Sequence, residues 1–161
     1  MSVSLQNWEK NNWLVKHKPT AGEITQLLGL ADRDLKDSQA DGLTDDWKLN
    51  IAYNSALQSA TAALLASGYR ASREMHHYRV VGSLAYTIGA DADLINKLDK
   101  FRKKRNISDY EIAGSVTQGE AKEMFRLAKE LRKEVVGWLG KAWAVVWSVP
   151  REGRKLILIS S

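Results

Sequence analysis

The feature that most constrains the fold is a series of five segments in which apolar residues recur at helical spacing after a residue that can cap a helix. The predicted caps are Thr20, Thr44, Ser72, Asp91 and Thr117. Glu stands three residues after the first and last of these caps, which is the capping-box pattern. The fifth segment has a 4-3-4-3 apolar spacing, typical of helices packed in a bundle. We therefore predict an all-α fold, an antiparallel bundle of about five helices joined by short loops.

The two ends of the chain differ from this periodic part. Residues 1–19 contain two tryptophans without clean periodicity, and we interpret them as an arm with at most one short helix. Residues 20–140 form the predicted bundle, and residues 141–161 a tail in which proline and glycine break the pattern. We predict no strand before Leu156–Ile159.

Composition excludes several classes of protein. The 161 residues include no cysteine, which excludes disulfide scaffolds, thiol nucleophiles and cysteine-ligated metals. His76 and His77 are adjacent, so on a helix they point about 100° apart and cannot share a metal. We expect no metal and no cofactor. No apolar run is long enough to span a membrane, and no signal peptide is evident, so we expect a cytoplasmic protein.

The positive charge is concentrated in one stretch. The formal net charge is +5, and residues 97–105 alone carry six basic residues and one acidic residue. Such a patch suits an acidic partner such as RNA. Within it, we expect Arg102, Lys103 and Lys104 to contribute to phosphate binding, although a solvated helix face would have the same composition.

Arg105 continues the apolar stripe of the fourth segment, after Leu98 and Phe101. A buried arginine is rare without a polar partner, and Asn54 or Gln58 on the second segment, or Asp109 or Tyr110 after Arg105, could supply one. Asn54 and Gln58 are also candidates for binding RNA or phosphate. Two alternatives stay open. The helix could end before Arg105, which would then reach water, and the two amides could serve only to join helices.

His77 lies on the stripe of the third segment with Val81 and Leu84. A histidine on such a stripe is either a satisfied core residue or a proton carrier in a site. The spacing alone allows both interpretations.

The string from Arg105 to Tyr110, RNISDY, at the end of a helix in an all-helical chain resembles the signature region of HEPN domains. The order of the surrounding segments is also similar to that of small stand-alone prokaryotic members: LLGLADRDLKDS, WKLNIAYNSALQSATAALLASGYR, EMHHYRVVGSLAYTIG and LDKFRKKRNISDYE. The resemblance covers about residues 20–140.

This resemblance implies a helical bundle that forms a homodimer. Many HEPN domains are metal-independent ribonucleases, often toxins paired with a nucleotidyltransferase antitoxin. Their hallmark is an arginine followed, after four to six residues, by a histidine. Carried over, Arg105 would bind phosphate, Asn106 would orient the site, and the histidine would move protons at the RNA 2′-hydroxyl.

The chain departs from the hallmark, because Tyr110 stands where the histidine is required. A tyrosine, with a pKa near 10, is a poor general base at neutral pH. We therefore expect a non-catalytic HEPN-like module that binds RNA or a nucleotide, of the kind that belongs to toxin–antitoxin or defence systems. The alternative is a metal-independent endoribonuclease that uses Arg105 with Tyr110 or His77. A third hypothesis is a purely structural helical protein.

The tryptophans also favour a homodimer. Four of the six lie outside the bundle segments: Trp8, Trp13, Trp143 and Trp147. Large aromatic side chains are enriched at protein interfaces.

Overall fold

The computed structural model describes residues 4–110 and 115–142, without the side chains of residues 106–110 and 142. The helices in this part are α1 (Leu5–Lys10), α2 (Ala21–Asp37), α3 (Asp45–Ala66), α4 (His76–Gly82), α5 (Ala92–Tyr110) and α6 (Gln118–Ala142). A short 3₁₀ turn, Ser83–Ala85, follows α4. The predicted all-α helical bundle is confirmed. No helix among the described residues is long and apolar enough to cross a membrane.

The predicted helix starts are mostly correct because capping is local. The Thr20 hydroxyl accepts a bond from the Glu23 backbone N–H, and the Glu23 carboxylate accepts one from the Thr20 N–H. The same reciprocal pair forms between Thr117 and Glu120 at α6. Side chains also cap the starts of α3 and α5, at Thr44 and Asp91.

Helix α3 occupies the centre of the bundle and packs against α2, α4, α5 and α6. Its buried residues include a 4-3-4-3 series: Leu49, Tyr53, Ala56, Ala60 and Ala63. Asn54 and Gln58 lie outside this series and are only partly buried. Because α3 is surrounded by other helices, its sequence carries no single apolar stripe that would have fixed the choice.

The prediction of no strand before residue 156 is wrong. Strands β1 (Leu14–Lys16) and β2 (Tyr69–Ala71) pair antiparallel, with Leu14 opposite Ala71 and Lys16 opposite Tyr69. Strands of three residues are too short to show an alternating pattern, so only the long-range pairing reveals them. The segment Leu156–Ile159 lies outside the described residues.

The third predicted helix is shorter than expected, and Ser72 does not cap it. The Ser72 hydroxyl instead donates to the carbonyl of Asn12, and the Ser72 backbone N–H donates to the carbonyl of Trp13. These two bonds extend the contact between β1 and β2. Met75 has a left-handed backbone with φ of +52°, and α4 begins only after it. Ser72 thus serves the sheet rather than the helix.

The N-terminal segment packs on the bundle. Leu5, Trp8 and Leu14 are buried and belong to the same apolar core as α3 and α6. Gly82 on α4 allows this contact, because a Cβ there would lie 3.1 Å from the Trp8 ring. Tryptophan 8 is therefore covered by its own chain.

Candidate functional site

The junction of α3, α4 and α5 brings together an aromatic ring, an imidazole and two guanidinium groups. The Arg105 guanidinium carbon lies 5.5 Å from the centre of the Tyr53 ring. The ring centres of His77 and Tyr53 are 6.3 Å apart. Arg102, one turn before Arg105 on α5, acts electrostatically on both Tyr53 and His77. Three residues predicted from the sequence, Arg102, Arg105 and His77, therefore meet in one place.

Helix α5 continues through Tyr110, so the alternative in which the helix ends before Arg105 is wrong. The Arg105 side chain is partly buried, as its place on the apolar stripe predicts. The face of the Tyr53 ring lies next to the guanidinium. The side chains of Asp109 and Tyr110, two of its predicted partners, lie outside the described residues. A cation at this distance from an aromatic face is attracted by the ring quadrupole.

Asn54 and Gln58 do not join this cluster. Successive residues on a helix are rotated by about 100°, so Asn54 leaves α3 in a different direction from Tyr53. Neither amide side chain forms a hydrogen bond within the described residues, and the Gln58 Oε1 atom is buried without a partner there. Their predicted contact with Arg105 is not found.

The basic residues before Arg105 divide into two groups. Arg102 donates from Nε to Asp99 at 2.7 Å and lies with its guanidinium carbon 5.5 Å from the Tyr78 ring centre. Lys103 is exposed and reaches the other Asp99 oxygen at 3.4 Å. Lys104 turns towards α6, where its Nζ is 3.6 Å from Glu120. Of these three residues, only Arg102 lies beside an aromatic ring of the junction, that of Tyr78.

The surroundings keep His77 neutral. Burial lowers its pKa below the usual value, and electrostatic interactions with Arg105, His76 and Arg102 lower it further. At neutral pH the ring can therefore accept a proton or a hydrogen bond.

Tyr53 is the most buried polar group at the junction. Its side chain is fully buried, and its hydroxyl has no hydrogen-bond partner among residues 4–110 and 115–142. Burial raises the pKa of Tyr53 to about 12, although Arg102 and Arg105 act in the opposite direction. The phenol thus stays protonated at every physiological pH.

Two predicted catalytic residues fall largely outside the described part. Asn106 and Tyr110 belong to the last turns of α5, and their side chains lie outside the described residues. Three others were missed by sequence reasoning: Tyr53, Tyr78 and Asp99. Tyr53 lies on one of several possible stripes of α3, and the sequence does not select it over Asn54. Tyr78 and Asp99 gave no signal beyond their proximity in sequence to His77 and Arg102.

In chemical terms, the junction offers positive charge and a neutral base. No group of three or more potential metal ligands occurs among the described residues. Two guanidinium groups can bind an oxyanion through paired N–H donors, and His77 can take up a proton nearby.

Comparison of the sequence with models of protein families finds no match. Comparison with curated proteins finds no significantly similar sequence. The function must therefore be argued from the geometry of this site and from the resemblance of its motif.

Proposed function

We propose that the protein is a HEPN-like module that binds RNA or a nucleotide through the phosphate, and that Arg102 and Arg105 hold that phosphate. The observation that carries the proposal is that Arg105 and His77 both lie beside the Tyr53 ring, with Arg102 one turn before Arg105 on α5. A cluster of positive charge beside a histidine that stays uncharged suits an anionic ligand. The HEPN part of the proposal rests on the RNISDY string and on the order of the helical segments.

Arginine is well suited to this task because its planar fork matches the oxygens of a phosphate. The Asp99 carboxylate accepts a bond from the Arg102 Nε, which orients the guanidinium before any ligand arrives. The uncharged Tyr53 ring lies beside the Arg105 guanidinium and helps to position it without adding a negative charge. Preorganised donors of this kind lose little entropy on binding.

The binding test uses fluorescence anisotropy with a labelled single-stranded RNA. Arg105→Lys keeps the charge but loses the fork, and Arg102→Gln removes a charge; both should weaken binding. Each lost phosphate contact should lower the slope of log K against log salt by about 0.7 to 1. Arg126→Gln is the matched control, because Arg126 is an exposed arginine on α6 paired with Glu130. Equal losses in all three variants would indicate only a general charge effect and would contradict the proposed site.

A second candidate is the metal-independent ribonuclease, and the position of His77 favours it. The pKa of His77 is lowered in part by Arg105, so a proton acceptor and a phosphate clamp lie at the same junction even without a histidine after Arg105. Mixed RNA incubated with chelator should then be cleaved by the wild type and not by Arg105→Ala or His77→Gln. If the folded wild type leaves the RNA intact, the ribonuclease candidate is refuted and only the binding function remains.

The proposal includes a homodimer and, as a partner, a nucleotidyltransferase antitoxin. Trp8 no longer argues for a dimer, since its own chain covers it. The dimer therefore rests on the HEPN resemblance and on Trp13, which is partly exposed; Trp143 and Trp147 lie outside the described residues. Sedimentation at micromolar concentration should give twice the mass of one chain, and a monomer would contradict this prediction.

A further inference from the structure

A pocket of about 300 Å³ lies between the N-terminal segment and helices α4 and α5. This volume is at the lower end of the range for small-molecule sites, which is roughly 300–1,000 Å³. Its aromatic and polar lining residues are Trp8, Trp13, Tyr78, Arg79, Asn96 and Asp99. The pocket is separate from the group formed by Tyr53, His77 and Arg105. None of the functional residues predicted from the sequence lines the pocket.

Arg79 and Asp99 are the charged residues that line this pocket, and Asp99 is already paired with Arg102 and Lys103. The Arg79 guanidinium carbon lies 3.7 Å from the centre of the Trp13 ring and 6.0 Å from that of Trp8. Within the described residues Arg79 pairs with no carboxylate, its Nε is buried without a partner, and its one hydrogen bond is a long contact of 4.0 Å to Met75 Sδ. Because a cation already occupies the aromatic face, the pocket disfavours a cationic ligand and favours one with negative charge.

Tyr78 and Asp99 connect the pocket to the proposed phosphate site. The Tyr78 ring centre is 5.8 Å from the Arg79 guanidinium carbon and 5.5 Å from that of Arg102. Asp99 lines the pocket and also orients Arg102. A ligand that fills the pocket therefore lies beside Arg102.

The exposed Tyr78 ring can stack on a planar ligand. Tyr78 is 42% exposed, an unusual position for a large aromatic ring, and Trp13 is partly exposed. Exposed aromatic side chains next to basic residues are the elements with which proteins hold the bases of single strands. Asn96, exposed at the start of the same wall, can both donate and accept hydrogen bonds at the edge of a base.

From this combination we infer that the pocket binds one unpaired nucleobase of a single-stranded RNA, with the adjoining phosphate at Arg79 and Arg102. The inference rests on the proposed function, because it assigns the base to a site next to the proposed phosphate site. It adds a base-stacking surface that the α5 motif does not contain.

The test compares two labelled probes: a hexamer of adenosine ribonucleotides, and an abasic hexamer with the same ribose–phosphate backbone. In the wild type, the adenosine hexamer should bind more tightly than the abasic one. Tyr78→Ala should weaken binding of the adenosine hexamer by roughly 5- to 150-fold, the effect of losing one stacked base, and leave the abasic probe unchanged. Tyr78→Phe keeps the ring and should bind normally.

Tyr86→Ala is the matched control, because Tyr86 is also exposed and contacts Trp8 but does not line the pocket. Circular dichroism should show that all three variants fold. If both hexamers bind equally and depend equally on Arg102, the base pocket is refuted while phosphate binding stands. If neither hexamer binds, the proposed function is refuted and the base pocket with it.

Discussion

Replacing Tyr53 by phenylalanine should leave the fold as stable as before or make it more stable. The substitution removes only the hydroxyl, which is buried and has no hydrogen-bond partner among the described residues. Burying an unsatisfied hydroxyl costs about 1–3 kcal/mol, because the group loses its bonds to water. The phenyl ring keeps the core packing and still presents a π face to Arg105. We expect the free energy of unfolding to rise by up to about 2 kcal/mol.

Ser55→Ala, two residues away on α3, is the control for this prediction. The Ser55 hydroxyl is also buried, but it donates a bond of 2.7 Å to the Ala31 carbonyl on α2. Losing that bond should cost about 0.5–1.5 kcal/mol. Urea denaturation at pH 7, followed by circular dichroism at one protein concentration, measures both changes. In a domain of this size 1 kcal/mol corresponds to roughly 2–4 °C in Tm. If Tyr53→Phe is less stable than the wild type by 1 kcal/mol or more, the hydroxyl has a stabilising partner and the reasoning is refuted.

Three further predictions concern stability and pH. Thr20→Ala should lower the free energy of unfolding by about 1 kcal/mol, since it removes the acceptor that caps α2; an unchanged urea midpoint would contradict this. Gly29→Ala, in open space on α2, should stabilise the fold by roughly 0.5–1 kcal/mol, whereas Gly68→Ala, at φ of +93°, should destabilise it by about 1 kcal/mol. If the Tm values of both variants shift in the same direction, the assignment of backbone conformation is refuted. Because the folded pKa of His77 lies below its unfolded value of about 6.5, the unfolded state binds the proton first, so stability should fall as the pH drops below about 6.5, and His77→Asn should flatten that part of the curve. A wild-type stability that rises on acidification through this range would show the opposite shift.

Features that depend on a few neighbouring residues could be predicted from the sequence. The capping boxes at Thr20 and Thr117 each involve residues three positions apart, so the local sequence pattern is enough to predict the hydrogen bonds. Arg105 was placed inward by its spacing from Phe101, and the helix does carry it to the Tyr53 ring.

Features set by distant contacts could not be predicted. Ser72 was predicted to cap a helix, but its hydroxyl and its backbone N–H donate to the carbonyls of Asn12 and Trp13. No pattern in the sequence around Ser72 indicates these distant partners. On α3, both Tyr53 and Asn54 lie on plausible stripes, and the choice between them depends on which neighbours surround the helix. For the same reason the aromatic pocket gave no signal, since Trp13 and Tyr78 are far apart in sequence.

The pairing of β1 with β2 has a consequence for the order in which the chain folds. It joins residue 14 to residue 71 and so closes a loop that contains all of α2 and α3. Closing this loop loses chain entropy, and the loss is small only after the two helices have packed together. The N-terminal segment should therefore dock late, after the helices that form by local contacts. Trp8 and Trp13 travel with that segment, which makes their indole fluorescence a reporter of the final step rather than of the initial collapse. In a variant that retains Trp8 and Trp13 as its only tryptophans, stopped-flow refolding should show the helical signal before the tryptophan signal reaches its native value. The pocket beside Tyr78 would then be the last part of the surface to form.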